Sequence, residues 1–276
     1  MIVVDHGDAG LRLIRQRDHA QTSAEIASRW RRPAFLDDAA WAAFLLGVRM
    51  HDDGWAAFDA GGRLDATGRP FDFKTIHTTE HVAIWRASMA TVGELDPFAQ
   101  LLVALHARFL YTHLGQDGIE DQQSAQVFVA ELDALADRRI DALSREPRYV
   151  DVVSPHALDG CRRLFTLFDG LSLALAGGIG WIDEASAICF DDAERDTEGV
   201  AKGGADGGEQ DMRFERETRA DSNVVRVTPW PFDSAEVEVS MTVTDVVGRR
   251  FADAGAMHAA MAAGTTAPQR WTFLPG

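Results

Sequence analysis

The sequence predicts a mainly α-helical bundle with a small β-sheet formed by an N-terminal hairpin and C-terminal strands. Three observations lead there. Apolar residues recur at helical spacing through most of residues 18–176, β-branched runs gather at the two ends, and no internal repeat is visible, which sets a solenoid aside. The chain has 276 residues, 46% hydrophobic and 25% charged, enough for a sizeable core and unlike a disordered or collagen-like chain.

The elements follow in order. Ile2–Val4 and Leu11–Ile14 flank Gly7-Asp8-Ala9-Gly10 and read as a hairpin. From Asp18, the residues Ala24, Ala27 and Trp30 trace a helix that Pro33 stops. Asp37 or Asp38 caps a second helix, whose apolar face carries Phe44, Val48, His51 and Trp55. Residues 56–77 lose periodicity and collect Gly61, Gly62, Gly68 and Pro70, a long loop of the kind that tends to be functional. Helical patterns return at Thr79–Thr91, Asp96–His113, Gln122–Arg145 and Pro155–Ala176. Leu164–Ile182 approaches the length of a membrane span, but Asp169 interrupts it and glycines follow. A buried helix is the better reading, and its carboxylate then needs a partner.

After Trp181 the composition shifts. Residues 183–223 hold 13 acids against 5 bases, half of the net charge of −16, and read as a solvated, glycine-rich insert with short strands such as Met212–Glu217. Val224–Val227, Val237–Val243 and Gln269–Leu274 read as strands, and Ala252–Ala263 as a short helix. Three units result: a helical domain over 1–182 with the hairpin, the insert over 183–223, and a small β/α appendage over 224–276 packing on the main domain. The acidity excludes the basic footprint of a duplex nucleic-acid binder or of a protein held on anionic lipid. Cys161 and Cys189 form no CxxC motif, and Met1–His6 has no basic leader, so the chain reads as cytoplasmic with reduced thiols.

Nine histidines carry the chemical signal. His19 opens the first helix, and the adjacent pair His51-Asp52 ends the second. His81 and His106 sit on the apolar faces of the next two helices, and Asp169 on that of the last. A lone histidine on an apolar face is ordinarily a hydrogen-bonded core residue. Four histidines and two aspartates turned to one interior are costly to bury unpaired, and a metal centre satisfies all six. His77, four residues before His81, shares its face, but His81 is preferred because His77 falls nearer the loop. His113 either lines the same cavity or merely ends its helix. His6, His156 and His258 read as surface or structural, and Trp55 and Trp85 as core wall.

The order His19, His51-Asp52, His81, His106, Asp169, at intervals of 32, 29, 25 and 63 residues, resembles the ligand series of dinuclear HD-domain proteins. Several stretches resemble a bacterial family known as domain of unknown function 3891: Gln16-Arg17-Asp18-His19-Ala20, His51-Asp52-Asp53-Gly54-Trp55, Arg69-Pro70-Phe71-Asp72-Phe73, Glu80-His81-Val82-Ala83-Ile84-Trp85 and Trp230-Pro231-Phe232. The HD resemblance implies an HD-like bundle with two divalent ions, iron or manganese, with zinc also suited. Asp52 would bridge, His19, His51 and Asp169 would hold one ion, and His81 with His106 the second. It further implies hydrolysis by a hydroxide held between the ions, acting on a phosphate ester. Two departures count against phosphate: Asp53-Gly54 stands where phosphohydrolases often carry a lysine, and the Gly-Tyr-Pro motif of cyclic-dinucleotide phosphodiesterases is missing. The same six-ligand series also serves mixed-valent di-iron oxygenases.

Lys74, Arg86 and Arg108 are the candidate cations to meet an anionic substrate, Lys74 foremost, and Asp53 either hydrogen-bonds a ligand histidine or simply caps a turn. Gly177-Gly178-Ile179-Gly180 follows a helix and lacks a Lys-Ser/Thr sequel, so it is no phosphate loop. Neither a Gly-x-Ser-x-Gly elbow nor a paired cysteine points to a side-chain nucleophile. The expected function is a metal-dependent hydrolase on a small, anionic substrate, using Asp52, Asp53 and Lys74. A di-iron oxygenase and a non-catalytic, metal-stabilised regulatory protein are the alternatives. Neither nucleic acid nor membrane is an expected partner, and a homodimer is the assembly allowed for.

Overall fold

A computed structural model describes residues 1–113, 120–188, 209–217 and 223–276. Its helices are α1 (Gln16–Arg29), α2 (Asp38–Met50), α3 (Ala56–Ala60), α4 (Thr78–Leu95), α5 (Pro97–His113), α6 (Gln122–Leu143), α7 (Pro155–Ala176) and α8 (Ala254–Ala263). The strands are β1 (Ile2–Asp5), β2 (Leu11–Ile14), β3 (Glu184–Ile188), β4 (Glu209–Arg216), β5 (Val224–Thr228), β6 (Val237–Val246) and β7 (Thr265–Pro275).

Local chemistry sets the boundaries. Asp37 caps α2, its carboxylate accepting from the Ala40 N–H at 2.7 Å, and Asp121 caps α6 through Ser124. Ser154 caps α7, Pro155 occupies its first turn, and Gly177 ends it at φ +75°, a conformation that favours glycine. Helix α7 buries Leu164, Phe165, Phe168 and Leu171 on several sides, which is why its sequence mimics a membrane span. No helix of the described residues is long and apolar enough to cross a membrane.

The expected fold class, a mainly α-helical, HD-like bundle with only a small sheet, is corrected. A seven-stranded mixed sheet runs in the order β1-β2-β6-β7-β5-β4-β3, parallel only between β5 and β7. The N-terminal hairpin does pair with the C-terminal strands, Leu11 lying opposite Val246. The sheet is larger than the sequence suggests because the acidic segment supplies β3 and β4. In β4, Met212 and Phe214 are buried while Asp211, Arg213 and Glu215 face solvent, so outward charges mask a period-two strand. Strand β6 turns Val237, Val239, Met241 and Val243 inward, against the helices.

One apolar core runs from the helices into the sheet, from Phe44 and Phe165 through Trp30 to Phe232 and Phe273. Trp30 packs edge-on against Phe168 at 5.1 Å and Phe232 at 5.3 Å between ring centroids, tying α1, α7 and the 230–232 segment together. Helix α1 is also tied to β6: the Thr22 hydroxyl donates to the Ser240 carbonyl at 2.8 Å, and the Ser240 N–H donates to Glu25 at 2.9 Å. Helix α1 also packs on α2 and α7, and His19 lies on that side.

Candidate metal centre

Five helical segments each deliver one part of a buried polar cluster. His19 comes from the first turn of α1, and His51-Asp52 from the end of α2. His81 comes from α4, His106 from α5, and Asp169 from the middle of α7. His19, His51, Asp52, His106 and Asp169 are all buried.

The turn after α2 fixes Asp52. Asp53–Trp55 forms a 3-10 turn that packs on α4, the Gly54 N–H donating to Ser88 Oγ at 2.9 Å. A Cβ on Gly54 would lie 2.1 Å from the Ile84 carbonyl oxygen, so only glycine fits this approach. Asp52 precedes the turn without capping it through its side chain, which leaves the carboxylate for the interior.

Asp169 is the centre of the arrangement. Its Oδ1 lies 3.3 Å from both His19 Nε2 and His51 Nε2, and its Oδ2 lies 3.3 Å from His106 Nε2. Asp52 Oδ2 stands 3.1 Å from His19 Nε2 and 3.5 Å from His51 Nε2. The far side of each ring is also held. His51 Nδ1–H donates to the Val48 carbonyl at 2.8 Å. His19 Nδ1 meets Ser172 Oγ at 2.6 Å, and that hydroxyl donates to the Asp169 carbonyl at 2.9 Å. Ser23 Oγ adds a contact to Ser172 at 2.7 Å. With the Nδ1 protons directed outward, the Nε2 lone pairs face carboxylate oxygens, an arrangement that requires positive charge between them.

The pKa directions follow. Burial opposes a charge on His51, yet Asp52 and Asp169 outweigh it and raise its pKa to about 9. Burial likewise opposes ionisation of Asp169 and Asp52, but the facing histidines hold both carboxyls below the usual range. For His106 burial wins over Asp169 and lowers the pKa.

The donor set fits a divalent transition metal. Donor atoms of His19, His51 and Asp169 all lie within 4.8 Å of one another. Ligands bound at about 2.0–2.2 Å from one ion stand roughly 3–4.3 Å apart, so little movement is needed. His106 Nε2 is buried with Asp169 Oδ2 3.3 Å away and no well-aligned hydrogen bond, so a nearby cation would satisfy it.

The other expected residues are placed differently. His81 lines the same cavity, but both ring nitrogens are engaged: the Trp85 indole N–H donates to Nε2 at 3.1 Å, and Nδ1 meets the Tyr111 hydroxyl at 2.9 Å. Because an indole can only donate, Nε2 is unprotonated, and burial pushes the His81 pKa down to about 4. His77 is exposed and paired with Glu120 at 2.7 Å, away from the cluster. His113 is exposed and stacks on Phe109. His6, His156 and His258 are exposed as well. Asp53 is ion-paired with Arg17 at 2.8 Å and does not line the cavity. Arg86 and Arg108 turn toward α6, pairing with Glu131 and Asp133. Lys74 does line the cavity, its ammonium donating to the Gly178 carbonyl at 2.8 Å. Cys161 is a free buried thiol whose pKa burial raises, and Cys189 lies outside the described residues.

Sequence reasoning missed Ser23, Ser172 and Tyr111. The signal was present in part: Ser23 lies one turn after His19, and Ser172 three residues after Asp169, both on otherwise apolar faces.

Residues 1–247 match a protein family described as "Protein of unknown function (DUF3891)". The chain belongs to DUF3891. No curated protein and no solved structure matches it. The DUF3891 match contains the whole polar cluster and strands β1–β6. It stops before α8 and β7, although β7 occupies the sheet between β6 and β5.

Proposed function

We propose that this DUF3891 chain is a metal-dependent hydrolase of small molecules, with the reaction centred on His19, His51, Asp52, His106 and Asp169. The observation that carries the reading is the convergence of three histidine Nε2 atoms on two buried carboxylates at one end of a cavity of about 480 Å³. The ligand order along the chain, similar to that of HD-domain proteins, supports it. A divalent ion held here would supply Lewis acidity and make water a nucleophile near neutral pH.

The chain's own residues do the rest. Ser172 and the Val48 carbonyl fix the imidazoles of His19 and His51 with their Nε2 atoms inward. Trp55 and Trp85 wall the cavity and limit water. His81, kept neutral, holds the Tyr111 hydroxyl at the cavity wall, within reach of a substrate as a hydrogen-bonding group. Phosphate monoesters are the first substrate class to test.

Lys74 is the only lysine or arginine among the lining residues, and that scarcity favours a second reading, a mixed-valent di-iron oxygenase, whose substrate needs no phosphate recognition. Elemental analysis of the purified protein, with phosphate release from aryl phosphates and oxygen consumption measured side by side, separates the two. Metal with phosphate release supports the hydrolase. Iron with oxygen uptake supports the oxygenase, and metal with neither activity leaves a binding protein. Unchanged metal content in His51→Ala and Asp52→Ala would remove the basis of all three.

A further inference from the structure

The cavity that ends on the polar cluster is largely apolar beyond it, although Lys74, Thr78, His81 and Tyr111 also line it. Its side walls are Phe73 and Ile76 from the 61–77 loop, Leu110 from α5, and Leu173, Ile179 and Ile182 from α7 and the segment after it. The Lys74 ammonium sits 5.6 Å from the Phe73 ring centroid, bonded to the Gly178 carbonyl, with its side chain 55% exposed, which places it at the solvent side. Ile179 is 36% exposed and lies on the same rim. Gly170, beside Asp169, admits Ile182: a Cβ there would lie 3.0 Å from the isoleucine Cδ1, so the apolar wall reaches down to the cluster.

We infer that the substrate is amphipathic, an aromatic or aliphatic body with one reacting polar head, and that it carries no more than one further ionised group. The head sits against His51, Asp52 and Asp169, the body lies along the isoleucine and leucine wall, and any second anionic group lies at the mouth beside Lys74. Buried anions need partners, and beyond the cluster the lining offers one lysine and no arginine, at its outer edge, so a polyanion such as a nucleoside triphosphate is unmatched here. An apolar body needs no partners and gains from leaving water. This substrate class rests on the reading of the cluster as a hydrolytic centre.

The test uses the purified, metal-containing protein and three probes. 1-Naphthyl phosphate joins an apolar body to one phosphate, glycerol 2-phosphate has the same head on a polar body, and ATP carries several anionic groups. Binding is measured by calorimetry and turnover by phosphate release. 1-Naphthyl phosphate is expected to bind at least about tenfold more tightly than the other two, with a negative heat-capacity change. In Ile179→Lys, a rim position outside the cluster, that advantage is expected to shrink. Equal binding of glycerol 2-phosphate or ATP, or an advantage unchanged in Ile179→Lys, overturns the inference. The two readings fail separately. Selective naphthyl binding without phosphate release sinks the hydrolase and supports the apolar site. Release from glycerol 2-phosphate at equal kcat/KM sustains the hydrolase and sinks the apolar site.

Discussion

Asp169→Asn is the substitution that bears most directly on the metal centre. The side chain keeps its shape and one acceptor oxygen but loses the charge that faces three imidazoles at 3.3 Å. An amide turned with its NH2 toward His106 Nε2 still leaves an oxygen for His19 and His51, so the variant should fold. A cation at the site loses one of two anionic donors. Truncating one partner of a buried, hydrogen-bonded charge pair costs about 2–5 kcal/mol, and about 1.4 kcal/mol is a tenfold change in affinity. Metal affinity should therefore fall roughly thirtyfold to several-thousandfold, measured by competition with a chelator of known affinity. Circular dichroism and a thermal melt check that the variant is folded. A folded Asp169→Asn protein with wild-type metal content and affinity would refute the assignment of Asp169 as a ligand.

Ser172→Ala removes the contact that orients His19 and should weaken metal binding by about 10–100-fold without emptying the site, by the same competition assay. Metal must displace the His51 proton, whose pKa stands at about 9, so apparent affinity should rise by up to tenfold per pH unit through neutral pH and flatten above about 9. A flat profile between pH 7 and 9 would contradict that. For the metal-free protein the sign is opposite. The raised His51 pKa gives stability fully present below its ordinary value of 6.5 and lost as pH rises through about 9, so the melting temperature should drop over that interval. Gly54→Ala drives a Cβ to 2.1 Å from the Ile84 carbonyl. It should destabilise by about 1–3 kcal/mol or more in a denaturant titration and lower metal content by displacing Asp52.

The longer helices were legible because each presents a long apolar period closed by a recognisable stop: Pro155–Ala176 begins with Ser154 and Pro155 and ends at Gly177 in sequence and structure alike, whereas the five-residue α3 (Ala56–Ala60) is too short to show a period and read as loop. The sheet was less legible. Strand β4 was read in part, as Met212–Glu217, but with Met212 and Phe214 set among outward charges its place in the main sheet was not, and β3 is a five-residue strand paired along β4. Composition over a window averages the two faces of a strand, so a half-buried strand rich in charge reads as solvated. At the site, residue type revealed the converging histidines and aspartates. It could not reveal that a neighbour had already claimed a nitrogen. His81 has the spacing of a ligand, yet Trp85, one turn further on, donates to its Nε2. The placement of Asp53 was hidden for a related reason. Adjacent residues in a tight turn point in different directions, and here Asp52 faces His19 while Asp53 reaches Arg17.

The cluster does not need an ion in order to form. Its helices are capped by Asp37, Ser154 and Gly177, and its surroundings are aromatic core such as Phe44, Phe165 and Phe168, none of which depends on an ion. A raised His51 pKa lets a proton take the place of part of the cation's charge against Asp52 and Asp169. That exchange explains how two carboxylates remain ionised in an interior where isolated charges are costly. It also confines the strong electrostatics to one end of the cavity. Half of the chain's net charge of −16 lies in residues 183–223, outside the five helical segments that form the site. On the proposed function, the field a substrate would meet inside is set mainly by the cluster and by one lysine at the mouth, with largely apolar walls between them, so recognition along most of the cavity would depend on shape and desolvation.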